Sequence, residues 1–146
     1  FNLPVKIVRP FNTYGPRQSA RAIIPTVISQ ILHEKKEIEI GNAEPTRDFT
    51  YVKDTCSGFY EIYQSKNLFG EITNIGMNEE ISIEQLVNLI VKILGCKCKI
   101  TTNKKRVRPS SSEVNRLSCD NSKILKETNW KPEYNLTKGL KVFLRV

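Results

Sequence analysis

The segment Leu3-Pro-Val-Lys-Ile-Val8 is a short, β-branched apolar run with proline near each end, and it reads as a strand buried on both faces. Such a strand needs parallel neighbours and covering helices. Only Phe1 and Asn2 precede it, and the first residue is not Met, so the expectation is the C-terminal portion of a longer polypeptide. The run leads directly into Arg9–Pro25, RPFNTYGPRQSARAIIP, a loop rich in Arg, Asn, Gly and Pro.

A chain of 146 residues with 39% hydrophobic content can bury the core of one domain. It holds no run of about 18 apolar residues and no hydrophobic leader near its start. A cytoplasmic chain with no membrane span is therefore expected. Cys56, Cys96, Cys98 and Cys119 match no zinc spacing, and free thiols with no metal site are expected. The formal net charge is +8, with basic residues clustered in NKKRVRP, Asn103 to Pro109. No helix-turn-helix, zinc-finger or RNP-like pattern accompanies the cluster, which argues against nucleic acid and leaves a solvated loop or a phosphate-bearing small molecule.

The remaining pattern alternates strands and helices, giving an α/β fold without a linker. Pro25 sits in the first turn of a predicted helix whose apolar face is Val27, Ile28, Ile31 and Leu32. Glu37–Gly41 and Arg47–Val52 read as strands. A helix follows from Lys53 to Gln64, with Asp54 against the positive end of its dipole and Phe59, Ile62 and Tyr63 as its stripe. Gly70–Gly76 is a strand framed by glycines. Ser82 and Gln85 form a capping box, Leu86, Val87, Leu89, Ile90, Ile93 and Leu94 a core face, and Gly95 a stop. KCKITT, Lys97–Thr102, is a strand. Asp120 caps a helix through Glu127 that Trp130-Lys131-Pro132 ends, and Asn135 caps a last helix carrying Leu136, Leu140, Val142 and Phe143.

Ligands of open α/β sheets bind beyond the carboxyl ends of strands, which is where residues 9–21 lie. Asn12, Arg17 and Arg21 suit a phosphate or a sugar, and Gly15 lets the backbone turn. The alternative is an Asx-turn at Asn12 and a plain bend at Gly15-Pro16.

RPFNTYGPRQ, RAIIP, GNAEPTRDFTYVKDT, NIGMNEEISIEQL, RVRP and TNWKPEYNLTKGL occur in the order seen in extended short-chain dehydrogenases/reductases acting on nucleotide sugars. The chain resembles the NAD-dependent epimerase/dehydratase family along essentially its whole length. Within that family, TRDFTYVKDT and FNTYGPRQSAR look most like bacterial 4,6-dehydratases of the legionaminic acid pathway. The resemblance implies that residues 1–20 end an NAD-binding Rossmann domain and that 21–146 form the nucleotide-sugar-binding portion. There is no G-x-x-G-x-x-G, and YEIYQSK lacks the Tyr-x-x-x-Lys spacing of the family's catalytic pair, so no catalytic residue is assigned to this chain.

The resemblance further implies a role for individual residues. Phe11 lies by the nicotinamide of NAD, Asn12 reaches the substrate diphosphate, Arg21 approaches the nucleotide, and Ile24 and Pro25 flank the base. Arg47 and Arg108 clamp the diphosphate with guanidinium forks. The segment after Arg108 departs from the family pattern, and Glu113 is the candidate ribose contact. Asp48, beside Arg47, and Asp54, at a helix start, have structural explanations. The implied activity is 4,6-dehydration of a UDP- or GDP-N-acetylglucosamine-like substrate by a homodimer. In that reaction a hydride leaves C4, water is lost across C5 and C6, and the hydride returns to C6. A 4-epimerase, or an inactive nucleotide-binding module, are the alternatives.

Overall fold

In the computed structural model, which describes residues 3–107, 109 and 113–145, the opening strand β1 covers Ile7–Pro10 rather than Leu3–Val8. It runs parallel to β6 (Ile72–Ile75), with Ile7 opposite Ile72 and Pro10 opposite Ile75. Its other edge has no strand partner among the described residues, so Leu3, Val5 and Ile7 are 70%, 51% and 46% exposed instead of buried on two faces. After a break at Phe11, whose N–H donates to the Ile75 carbonyl at 2.9 Å, β2 (Asn12–Tyr14) pairs in parallel with β5 (Phe49–Tyr51). The expected portions 1–20 and 21–146 thus share both of these sheets.

Helix α1 (Ile23–Leu32) buries Ile24, Val27 and Gln30 and leaves Leu32 at 72% exposure. The buried Gln30 amide explains the shift of face. It donates to the Glu39 carbonyl at 3.0 Å and accepts from the Glu39 N–H at 2.9 Å, which ties α1 to the edge of β3 (Glu37–Ile40). A buried amide satisfied on both ends costs little, whereas a buried unpaired one would cost about 1–3 kcal/mol. β3 pairs in parallel with β8 (Lys99–Thr102).

The predicted single strand Arg47–Val52 is two strands meeting at Asp48. β4 (Thr46–Arg47) lies between antiparallel β7 (Ile81–Ser82) and parallel β9 (Arg116–Leu117). β5 turns the other way into the core, all three of its residues being buried. Helix α2 (Val52–Gln64) packs through Thr55, Gly58 and Ile62, leaving Phe59 and Tyr63 at 45% and 76% exposure, contrary to the predicted stripe. Its small residues let the sheet approach closely, so the bulky ones face outward. Helix α3 (Ile83–Leu94) has the expected capping box of Ser82 with Gln85, and Gly95 closes it in the left-handed conformation.

Helix α4 (Ser122–Glu127) follows Asn121, and the Asp120 carboxylate accepts the Ser122 N–H at 2.9 Å. Helix α5 (Leu136–Leu144) is capped by Asn135 as expected, but Val142 is 44% exposed while Gly139 and Leu140 face inward. Trp130 is a core residue, its indole N–H donating to the Asp54 carbonyl at 2.9 Å. The Asp54 carboxylate accepts the N–H groups of Glu133 and Tyr134, both at 2.9 Å, and so anchors the approach to α5.

The main core joins α1, α3 and α5 to β3 and β5 around Tyr14, Ile38, Tyr51, Leu86 and Leu140, and a second cluster surrounds Ile75, Ile124 and Trp130. Gly139 lets α5 pass over Tyr14; a Cβ there would overlap the tyrosine hydroxyl and approach Tyr51 Cβ to 3.2 Å. Gly139→Ala should destabilise the fold by about 1–3 kcal/mol, the usual cost of overpacking, read as a lower urea midpoint at unchanged slope.

Candidate functional site

A cavity of about 520 Å³ opens where β2, the carboxyl end of β3, β4 and the first turn of α1 converge. Its floor is apolar, from Ile23, Ile40, Phe49 and Ile83, and its rim is polar, from Asn12, Thr13, Gln18, Thr26 and Asn42. Among the described residues the lining also includes three guanidiniums, Arg21, Arg47 and Arg106, and one carboxylate, Glu113. The Asn12 amide is held in place because its nitrogen donates to the Asp48 carbonyl at 3.1 Å. The Gln18 amide nitrogen donates to the Thr13 carbonyl at 2.9 Å, while its buried oxygen accepts no hydrogen bond among the described residues.

Among the described residues Arg47 is the most extensively hydrogen-bonded of the three cations. Its Nη1 donates to the carbonyls of Thr46 at 2.8 Å and Val114 at 2.6 Å, and its Nη2 donates to Glu113 Oε1 at 3.0 Å. Both side chains of this ion pair are shielded, at 13% and 14% exposure. Arg106 reaches the rim from a short 3₁₀ turn, Lys104–Arg106. That turn rests on Gly41 so closely that a Cβ at Gly41 would overlap the Arg106 carbonyl.

Asp48 is fully buried and does not pair with its neighbour Arg47. Its carboxylate instead accepts the N–H groups of Met77 at 2.9 Å and Cys119 at 3.3 Å. Burial pushes the Asp48 carboxyl above the ordinary range, and those backbone donors pull partly the other way. Burial pushes the Cys119 thiol up to about 12, and the negative charges of Asp48 and Asp120 add to the effect. Cys96 is raised as well, first by burial and then by Cys98 beside it.

Of the residues anticipated from the sequence, Asn12, Arg21, Arg47 and Glu113 line this one cavity. Glu113 is engaged by Arg47 there. Ile24 is a fully buried core residue, and Ala22, Ile23 and Thr26 line the cavity in place of Ile24 and Pro25. Phe11 sits at the β1–β2 break and is not in the lining. Arg108 lies outside the described residues. Gln18, Thr26, Phe49 and Arg106 are lining residues that sequence reasoning passed over. For Arg106 the signal was the basic run itself, in which position within RVRP favoured Arg108 over Lys104, Lys105 and Arg106. Tyr134 and Lys138 have the Tyr-x-x-x-Lys spacing, yet neither lines the cavity, and Lys138 Nζ sits 4.7 Å from the Tyr134 ring centroid. Among the described residues no cluster of three metal-ligating side chains occurs, and no helix is long and apolar enough to cross a membrane.

The family model described as GDP-mannose 4,6 dehydratase matches residues 1–143. The chain belongs to this family. It is 32% identical over 140 residues to an uncharacterised UDP-glucose epimerase, YtcB, of Bacillus subtilis (strain 168), covering 96% of this chain and 43% of that protein. The crystal structure of UDP-glucuronic acid 4-epimerase from Bacillus cereus, with UDP-glucuronic acid and NAD, superimposes with a TM-score of 0.87 at 30% identity, covering 99% of this chain and 45% of that one. The dTDP-glucose 4,6-dehydratase of Bacillus anthracis in complex with NAD gives 0.83 at 28% identity, again covering 99% and 45%. The chain therefore spans less than half of each of these relatives. The likeness establishes the α/β fold with a Rossmann-type parallel sheet.

The thiol environments make a direct prediction. Iodoacetamide near pH 8 should label exposed Cys56 first and leave Cys119 unmodified until the chain is unfolded, because a thiol titrating near 12 behind Asp48 is neither ionised nor reachable. Peptide mass mapping with and without urea would show it.

Proposed function

We propose that this chain is the nucleotide-sugar-binding portion of an NAD-dependent 4,6-dehydratase acting on a UDP- or GDP-N-acetylglucosamine-like substrate, as in the legionaminic acid pathway. The observation that carries the reading is the lining of the cavity, three guanidiniums against one carboxylate at strand ends, over an apolar floor. That combination suits a diphosphate with a base or sugar attached. Asn12 lines the cavity with one amide N–H on the Asp48 carbonyl, and its second N–H would donate to the diphosphate. The unsatisfied oxygen of Gln18 would accept a sugar or ribose hydroxyl.

Bound NAD would supply the hydride acceptor, held mainly by residues beyond this chain. Within the chain, Phe11 fits the nicotinamide end, since β1 and β6 both terminate beside it, Pro10 opposite Ile75. The open apolar edge of β1 supports a sheet that continues on that side, with residues 1–20 closing the NAD-binding domain and residues from 21 onward serving the substrate. What this chain contributes to the reaction is then binding and orientation: cations that fix the diphosphate set the position of the sugar ring relative to the cofactor. A homodimer and a cytoplasmic setting complete the proposal. The 4-epimerase reading is kept because the superposition on the Bacillus cereus 4-epimerase is as good as any described above. It differs only in acid/base groups that this chain does not carry.

In the full-length native polypeptide, titration calorimetry with UDP, GDP and dTDP should detect binding of at least one. Arg21→Ala and Arg47→Ala should each weaken it about tenfold, about 1.4 kcal/mol. Undiminished affinity in the Arg21/Arg47 double variant would overturn the assignment.

A further inference from the structure

The loop that joins α3 to β8 carries two thiols two residues apart, Cys96 and Cys98, and neither lines the cavity. The stop at Gly95 places them, because α3 closes there in the left-handed conformation and the Cys96 N–H donates to the Val91 carbonyl at 3.3 Å. The side chains are held as well. The Cys96 thiol donates to the Val91 carbonyl at 3.7 Å, and the Cys98 thiol to the Lys35 carbonyl at 3.5 Å. Both thiols are half-buried, and they lie within hydrogen-bond reach of each other. Among the described residues no third metal-ligating side chain joins them, so the pair lacks the four ligands of a structural zinc. The start of β8 meets the start of β3 beside the pair, where the Lys99 N–H donates to the Lys36 carbonyl at 3.0 Å. Four exposed lysines, Lys35, Lys36, Lys97 and Lys99, therefore outnumber Glu34 and Glu37 around the two thiols.

We propose that Cys96 and Cys98 form a surface dithiol that a small disulfide such as oxidised glutathione converts reversibly into an intramolecular Cys96–Cys98 disulfide. One of the two, as its thiolate, attacks the glutathione disulfide, so that a mixed disulfide forms and one glutathione leaves. The neighbouring thiolate then attacks the protein sulfur of that mixed disulfide and expels the second glutathione. The two cysteines give up two electrons, oxidised glutathione takes them, and the two thiol protons end on two reduced glutathiones. Proximity favours closure over a lasting adduct, because the second thiol is already in reach. The lysines draw in the carboxylates of glutathione. The backbone can contract, since α3 ends at Leu94 and β8 begins at Lys99, so the thiols lie in neither element. The ring is strained all the same. Cα atoms two residues apart in extended chain lie about 7 Å apart, whereas a disulfide prefers about 5.5–6 Å. A strained, accessible disulfide is easily reduced, which suits reversible exchange rather than a structural bridge.

The test is peptide mass mapping of the full-length native polypeptide after incubation with oxidised glutathione near pH 8 and an acid quench. Cleavage after Glu keeps both thiols in one peptide, Gln85–Glu113, apart from Cys56 and Cys119. The expected result is that this peptide becomes two hydrogens lighter and carries no glutathione, whereas exposed Cys56, a lone thiol, keeps any glutathione it gains. Excess reduced glutathione should reopen the ring. Cys96→Ser and Cys98→Ser should each replace the ring by a lasting glutathione adduct on the remaining thiol. An unchanged pair, a lasting adduct on the wild-type pair, or a disulfide from either thiol to any other cysteine would overturn the proposal. A ring that reduced glutathione cannot open would overturn its reversibility, and the absence of an adduct in both serine variants would overturn the exchange route.

Discussion

The buried carboxylate of Asp48 is the constraint from which the rest of the site follows. An unpaired carboxylate at this depth would cost several kcal/mol, so the chain has to bring donors to it. It brings the N–H groups of Met77, from the loop after β6, and of Cys119, from the loop after β9. These contacts link three segments far apart in sequence, and the Asp48 carbonyl adds a fourth by taking the Asn12 amide. The inward turn at Asp48 also splits one predicted strand in two. β4 is left to pair with β7 and β9, while Phe49 to Tyr51 enter the core. Without that turn, Arg47 and Phe49 would fall on one face of a continuous strand at alternate positions. With it, both residues still reach the cavity, one as its anchored cation and the other as its floor.

Local signals were legible wherever one residue type performs one task. The capping box at Ser82 and Gln85, the stop at Gly95 and the cap at Asn135 appear in the structure as read. Faces of helices were legible only where packing follows bulk. On α2 the sheet is met by Thr55, Gly58 and Ile62, so a rule that sends the largest apolar residues inward picked Phe59 and Tyr63 and failed. On α1 a satisfied Gln30 took the place assigned to Leu32, because a hydrogen-bonded amide can be buried as cheaply as a methyl group where a strand edge offers both partners. The short pairings of β4 with β7 and β9 carry too few residues to show any periodicity.

The site was legible in part for a related reason. Asn12, Arg21 and Arg47 occur in recognisable motifs, and the structure gathers them around one cavity with Glu113. Gln18 and Arg106 stand inside quoted motifs, RPFNTYGPRQ and RVRP, but those motifs gave neither residue a role. Gln18 matters because the Thr13 carbonyl holds its nitrogen and leaves its oxygen buried. Arg106 matters because Gly41 admits its backbone turn. Both are consequences of contacts between distant segments, which a single sequence does not display. The same holds for the partner of Arg47: proximity in sequence pointed to Asp48, but the guanidinium reaches Glu113, 66 residues away.

The overall charge of +8 explains less about binding than this local arrangement does. Charge spread over a surface is screened within about 8 Å at physiological salt, so most of the 23 Lys and Arg residues act on a ligand only during approach. Inside the cavity the balance among the described residues is set by Arg21, Arg47, Arg106 and Glu113. The carboxylate there keeps an anchored guanidinium from standing uncompensated in a partly dehydrated pocket, a state that would otherwise oppose folding.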